Sequence, residues 1–183
     1  MRAFMLAATA AVLTGITPAQ ASVLTVGGGY AATCYRSAES RVIDRNAFQA
    51  CNQALSTEAL AREERAGTLV NRGILSLIRG DYADANRDFD AALAIDPNQP
   101  EAWLNKGISF VKSGKSSEAI VLIDKALELG TRKPALAYYA RAIAHEDSGN
   151  IRNAYSDLRR TVSLAPKWRE PVMDLARYQV KPR

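Results

Sequence analysis

The side chains that could carry chemistry are few and lie far apart in the sequence. The chain has one histidine, His145, and two cysteines, Cys34 and Cys51, which are 17 positions apart. A metal site needs more ligands than two thiols and one distant imidazole, and a redox pair of cysteines is more often spaced C-x-x-C. In an exported protein the cysteines predict one structural disulfide, which for a loop of this length would stabilise the fold by about 3 kcal/mol.

The carboxylates give little support for catalysis. Asp81, Asp84, Asp88 and Asp90 cluster near the start of one predicted helix, where acidic residues complement the helix dipole. We expect the rest of this cluster to lie on a solvated face, whereas glycoside-type catalysis needs two carboxylates across a cleft. The sequence has no nucleophile elbow, phosphate-binding glycine loop or H-E-x-x-H motif. We therefore expect no catalytic residue, no metal and no cofactor, and a protein that is not an enzyme.

Composition and charge favour one soluble globular domain. The chain has 183 residues, of which 48% are apolar and 23% charged, and its formal net charge is +5. These values are close to the averages for soluble domains. The basic residues are interspersed with acidic ones and form no stripe or block, so we expect no nucleic-acid partner.

The first 21 residues have the pattern of a signal peptide. Arg2 precedes an apolar stretch at 3–16, and Ala19 and Ala21 supply the small residues of a cleavage site. The alternative is an uncleaved membrane anchor, but the apolar stretch is shorter than the roughly 20 residues that span a bilayer. The sequence predicts a signal peptide at 1–21 and a soluble, periplasmic or secreted mature protein without a membrane span.

Small and apolar residues recur through the centre of the chain at spacings of 34 and 35 positions. Four columns keep this register: Gly73, Gly107 and Ala142; Gly80, Gly114 and Gly149; Ala85, Ala119 and Ala154; Phe89, Ile123 and Leu158. Such a period is typical of repeat architectures.

Each repeat reads as two helices divided by a glycine. In the first repeat, apolar residues at i, i+4, i+7 and i+8 from Val70 form one helical stripe. Gly80 is suited to the left-handed conformation that ends a helix, and Pro100 to the first turn of the next one. We place three units at 66–99, 100–133 and 135–168.

This pattern resembles the tetratricopeptide repeat family, whose signature is W-x2-L-G-x2-Y, then A-x3-F, then P. Trp103, Gly107 and Phe110 match the first part, with Lys106 in place of the usual Leu. The resemblance implies an all-α fold, a right-handed α-solenoid of three helix pairs, with capping helices at both ends.

The flanking segments fit these caps. Val42 to Leu55 predicts a leading helix within an N-terminal segment at 22–65, and Trp168 to Gln179 predicts a final helix within a C-terminal cap and tail at 169–183. Residues 22–36 predict either an ordered extended arm, which the disulfide would fasten to the leading helix, or a flexible tail.

In proteins similar to this one, the first helices of successive units line a concave groove that receives peptide segments. Carried onto this sequence, the positions that face such a groove are Val70, Asn71, Ile74, Leu104, Asn105, Ile108, Lys112, Tyr139 and Ile143. Asn71 and Asn105 are candidates for hydrogen bonds to a peptide backbone, or for bonds to a neighbouring helix, and Tyr139 is a candidate aromatic anchor. His145 takes the family's Tyr position, which packs between the two helices of a unit.

The resemblance implies a non-catalytic adaptor that binds a partner protein or peptide segment. Some relatives grip a terminal carboxylate with basic residues of the groove, but Ala140 and Ile74 replace two of the residues needed, so an apolar or amphipathic ligand is favoured. Two alternatives are a structural module that self-associates as a homo-oligomer and a regulatory subunit of an envelope enzyme.

Overall fold

The structure, a computed structural model, describes residues 29–41 and 43–178, which contain nine α-helices and no strand. The predicted signal peptide, residues 22–28 and the tail at 179–183 lie outside these ranges. The helices are α1 (Tyr30–Ser40), α2 (Arg45–Thr57), α3 (Arg62–Arg79), α4 (Tyr82–Ile95), α5 (Pro100–Lys112), α6 (Ser116–Glu128), α7 (Pro134–Asp147), α8 (Ile151–Leu164) and α9 (Arg169–Ala176). The predicted all-α fold is confirmed.

Consecutive helices pack as pairs, and the pairs stack. Each of α1, α3, α5 and α7 packs most extensively on the helix that follows it, while α3 also contacts α5, and α5 contacts α7. The central pairs fall in the predicted units with two exceptions: α3 begins at Arg62, four residues before the first unit, and α7 begins at Pro134, one residue before the third. The exact unit boundaries stay a prediction.

Glycines at the repeating positions let the two helices of a pair approach closely. A Cβ atom added to Gly73 would lie 2.5 Å from the ring of Phe89, and one added to Gly107 would lie 2.5 Å from Cγ1 of Ile123. Phe89 and Ile123 are fully buried, so neither can move aside into solvent. The glycines are therefore steric requirements of the packing.

Apolar clusters join each helix pair to the next. One cluster around Phe89 combines residues of α3, α4 and α5, and a second around Ile123 combines residues of α5, α6 and α7. A third cluster contains Cys34, Cys51 and Leu75, and so joins α1 and α2 to α3. The core is thus continuous along the stack.

The helix ends follow the sequence signals. Gly80 has φ 91°, and the N–H groups of Gly80 and Asp81 donate to the carbonyls of Leu77 and Ser76, which closes α3 in the left-handed manner expected of glycine. Pro100 and Pro134 occupy the first turns of α5 and α7.

The prediction for residues 30–36 was wrong, because they form most of α1. Ala31, Cys34 and Ala38 bury one face of this helix. Its N-terminus is capped by a residue distant in sequence: the Glu58 carboxylate accepts hydrogen bonds from the N–H groups of Tyr30 (2.6 Å) and Ala31 (3.1 Å). Since the local sequence carries no capping side chain, its helical character depends on tertiary contacts.

The predicted end helices form with shifted bounds. The leading helix, predicted from Val42 to Leu55, is α2 at Arg45–Thr57. The residue before it, Asp44, caps its N-terminus, because the Asp44 side chain accepts from the N–H of Ala47. The final helix, predicted from Trp168 to Gln179, is the shorter α9.

The prediction of a solvated acidic face was wrong for Asp88, which is buried. Its carboxylate forms a two-point ion pair with Arg72 of α3, at 2.6 and 2.9 Å. The same pair recurs between Arg141 and Asp157, at 2.8 Å for both contacts. Such bidentate pairs fix the relative position of two helices as well as neutralising the buried carboxylate.

Arg72, Lys106 and Arg141 occupy one column of the repeat, the basic column, and they also bond each helix pair to the preceding pair. The basic residue in the middle of each first helix donates to the second helix of the pair before it: Arg72 to Asn52 at 2.8 Å, Lys106 to Asp90 at 2.6 Å, and Arg141 to Asp124 at 2.6 Å.

Alanine substitution of two glycines in the same helix should have opposite effects. Gly73→Ala should lower the free energy of unfolding by roughly 1–3 kcal/mol because the new methyl group overlaps the Phe89 ring. Gly67→Ala is the matched control: a Cβ there meets nothing within 4 Å, so it should raise that free energy by up to about 1 kcal/mol through helix propensity. Urea unfolding measures both; equal effects would contradict the steric requirement.

Candidate functional site

A groove with a volume of about 680 Å³ runs along the face formed by the first helices of the pairs. All nine residues predicted to face such a groove lie in its lining: Val70, Asn71, Ile74, Leu104, Asn105, Ile108, Lys112, Tyr139 and Ile143. The structure therefore brings them together, and their contact with a ligand stays a prediction.

These residues differ in how much surface they offer. Val70 and Leu104 are buried, Leu104 to 1% exposure, so they lie beneath the surface of the groove and offer little area to a ligand. Ile74, Ile108 and Ile143 are half-buried and recur at 34 and 35 positions, so they form an apolar strip that crosses α3, α5 and α7. An apolar ligand would gain contact mainly from this strip.

The two asparagines of the groove are in different states. Nδ2 of Asn105 donates to the Glu101 carbonyl at 2.8 Å, one turn earlier in α5, which leaves its Oδ1 as the atom able to accept from a ligand. Asn71 lines the groove, and no side-chain hydrogen bond of Asn71 is found within the described residues, so both its donor and its acceptor are available to a ligand. Asn71 is thus the better candidate for contact with a peptide backbone.

Tyr139 forms an end wall of the groove and is not a free anchor. Its hydroxyl donates to Asp174 of α9 at 2.8 Å, and its ring packs edge-on against Trp168 with centroids 4.9 Å apart. Burial, together with the hydrogen bond to Asp174, raises the pKa of Tyr139 to about 12. The hydroxyl therefore stays protonated, and α9 is held against α7.

Helix α1 forms one wall of the groove, which the sequence did not indicate. Tyr35, Ala38, Glu39 and Arg41 all face the cavity. Across the groove, Nζ of Lys133 lies 3.4 Å from the carboxylate of Glu39. This exposed ion pair therefore connects α1, at the start of the groove, to Lys133, which directly precedes α7.

The disulfide between Cys34 and Cys51 holds this wall in place. The two sulfurs are bonded at 2.04 Å, and both cysteines are fully buried between α1, α2 and α3. The predicted pairing is therefore present, with the correction that it joins two helices and not an extended arm to a helix.

His145 does not line the groove. Its Nε2 lies 4.0 Å from the carboxylate of Asp157, and its Nδ1 is buried without a hydrogen-bond partner among the described residues. Burial lowers the pKa of His145, although the nearby Asp157 carboxylate opposes this shift. The neutral imidazole is thus favoured, as expected for a residue packed between two helices.

Among the described residues, no group of three or more His, Cys, Asp or Glu side chains is placed to hold a metal ion. None of the described helices combines the length and the apolar character that crossing a membrane requires.

A family model described as Tetratricopeptide repeat matches residues 76–145, from the end of α3 into α7. This central part of the chain is therefore built of tetratricopeptide repeats. Its repeats place small residues where paired helices touch, and the groove is the concave face of its stacked helix pairs.

Several solved repeat domains share the fold of this repeat protein. The Arabidopsis OM64 TPR domain matches with a TM-score of 0.60 and 18% identity, over 64% of this chain and 96% of that one. The second TPR domain of human RPAP3, in complex with the HSP70 peptide SGPTIEEVD, matches with a TM-score of 0.59 and 21% identity, over 66% and 100%. MamA from Desulfovibrio magneticus RS-1 matches with a TM-score of 0.63 and 21% identity, over 81% and 82%.

Removing the disulfide should loosen the α1 wall selectively. Cys34→Ala combined with Cys51→Ala should lower the free energy of unfolding by about 2–4 kcal/mol and should speed hydrogen exchange of the α1 amides, while α5 to α8 keep their protection. Reduction of the unmodified protein should have the same effect, and the double variant should no longer respond to reductant. If reduction left α1 as protected as before, the disulfide would not be what holds the wall.

Proposed function

We propose that this repeat protein is a non-catalytic adaptor of an exported compartment, which binds a segment of a partner protein in its groove. The observation that carries the proposal is the apolar strip of Ile74, Ile108 and Ile143, which is left half-exposed along a 680 Å³ cavity. Apolar side chains in a concave, preformed site are typical of ligand-binding surfaces.

Polar groups in the groove can orient a bound segment. Asn71 offers an amide on one side of the strip, and Asn105 offers Oδ1, so a peptide backbone laid along the strip finds both a donor and an acceptor. The human RPAP3 domain is similar in fold and is bound to a peptide, which supports peptide binding as a use of this architecture. Fold alone does not determine a ligand, so the proposal depends on the lining of this groove.

Two observations support the exported location. The apolar stretch at 3–16, followed by Ala19 and Ala21, has the form of a signal peptide. The buried disulfide between Cys34 and Cys51 is of a kind that persists in oxidising compartments and is rare in the cytosol.

A second candidate function is self-association through the C-terminal cap. Val172 and Met173 of α9 are exposed, Met173 to 64%, and could pack against a second copy. A third, the regulation of an envelope enzyme, is a special case of the adaptor in which the partner is an enzyme.

Photocrosslinking in cells should distinguish these candidates. A photoreactive residue at Asn71, which disturbs no hydrogen bond of the described structure, should yield an adduct with a partner protein in the exported fraction. The same residue at Val121, which is 67% exposed on α6 and outside the groove lining, is the matched control and should yield none. A product of twice the chain's mass from Met173 would favour self-association.

The groove variant Ile143→Glu should weaken the adduct from Asn71 by roughly tenfold, because it replaces the apolar contact of the half-buried isoleucine with a charge that a bound apolar segment would desolvate. Circular dichroism should show unchanged helix content in this variant. Equal adducts from Asn71 and Val121, or none from Asn71, would contradict the adaptor function.

A further inference from the structure

The charges that line the groove are mostly positive. Five basic residues face the cavity, namely Arg41, Arg79, Lys112, Arg132 and Lys133, and two acidic ones, namely Glu39 and Glu101. An apolar strip with a net positive surround favours negatively charged ligands over positive ones.

Three of these basic residues already have carboxylate partners. Lys133 pairs with Glu39 at 3.4 Å, and Arg132 pairs with Glu101 at 3.3 Å. Arg79 pairs with Asp81 and also lies over the Phe48 ring, 4.2 Å from its centroid. These three charges are therefore neutralised by the protein itself.

Arg41 and Lys112 differ from the other three. Neither forms an ion pair with any described residue, and both side chains are exposed. Arg41 follows the last turn of α1, and Lys112 is the last residue of α5, so each is fixed at the end of a helix that walls the groove. Their charge also complements the negative helix ends, but that role does not require them to face the cavity.

We propose that the groove selects partner segments in which Asp or Glu residues adjoin apolar residues, with the carboxylates received by Arg41 and Lys112 and the apolar residues by the strip of Ile74, Ile108 and Ile143. This inference rests on the proposed function and names the chemical class of its ligand. The acidic groups are side chains within the segment, since Ala140 and Ile74 stand where a terminal carboxylate would be gripped.

The two basic residues contribute more to selectivity than to affinity. Because both are solvent-exposed, each ion pair with a ligand should change the dissociation constant by only about 1.5- to 5-fold, and added salt should reduce this change. A basic segment, by contrast, would meet the uncompensated like charges of Arg41 and Lys112. Discrimination between acidic and basic segments is therefore the quantity to measure.

A random peptide library displayed on phage tests this inference with the full, oxidised chain as bait. Peptides selected by the unmodified protein should be enriched at least about twofold in Asp and Glu beside apolar residues. Arg41→Ala combined with Lys112→Ala should remove the acidic enrichment and keep the apolar one. Arg41→Glu combined with Lys112→Glu should reverse it towards Lys and Arg.

The matched control removes one arginine and one lysine elsewhere. Arg152 and Lys167 are exposed, lie outside the groove and form no ion pair among the described residues, so Arg152→Ala combined with Lys167→Ala should keep the acidic enrichment. Circular dichroism confirms that each variant is folded.

Failure of this inference is distinguishable from failure of the proposed function. Selected peptides without acidic enrichment, or with enrichment that survives the Arg41 and Lys112 changes, would overturn the inference while peptide binding stands. If no peptide is selected, or if selected peptides bind Ile143→Glu as well as they bind the unmodified protein, the groove is not the binding site and both proposals fall.

Discussion

The whole structure depends on close contact between the two helices of each pair. Gly73 and Gly107 have no side chain, so Phe89 and Ile123 can fill the space where the helices cross. Close-packed interiors leave little room for adjustment, and a pair that opened at this point would no longer fit the next pair. The apolar clusters that run from pair to pair extend this constraint along the stack, since each pair buries its faces only against its neighbours.

The groove is a consequence of that packing. Because the first helices of the pairs are held side by side, the residues at equivalent positions of α3, α5 and α7 form one continuous apolar strip. Of the second helices, only α4 contributes to the lining, through its first residue, Tyr82. Side chains of α2, α4 and α6 accept hydrogen bonds from the basic column of Arg72, Lys106 and Arg141. These bonds fix the orientation of each pair relative to the one before. Helix α1 and the Tyr139–Asp174 contact then bound the groove at its two ends.

Much of this architecture could be predicted from the sequence, because a repeat shows the same requirement several times. The register of Gly73, Gly107 and Ala142 indicated the helix pairs, and the family resemblance placed all nine groove residues in one lining. Features that depend on a contact between separate elements were missed or misread. The helix at residues 30–36 is capped by Glu58 from 28 positions away, and the burial of Asp88 follows from a partner in another helix. The hydrogen bond from Tyr139 to Asp174 of α9 was not predicted, for the same reason.

The most direct test of this account is a double-mutant cycle between Gly107→Ala and Ile123→Ala, read as the free energy of unfolding. Each change alone should destabilise the protein, the first by overlap with Ile123 and the second by a cavity. Together they should destabilise it less than the sum of the two, with a coupling of at least about 1 kcal/mol, because the new methyl group enters the space that the isoleucine has left. Additive effects would show that the glycine is not held against the isoleucine, and that the close contact of paired helices does not organise this fold.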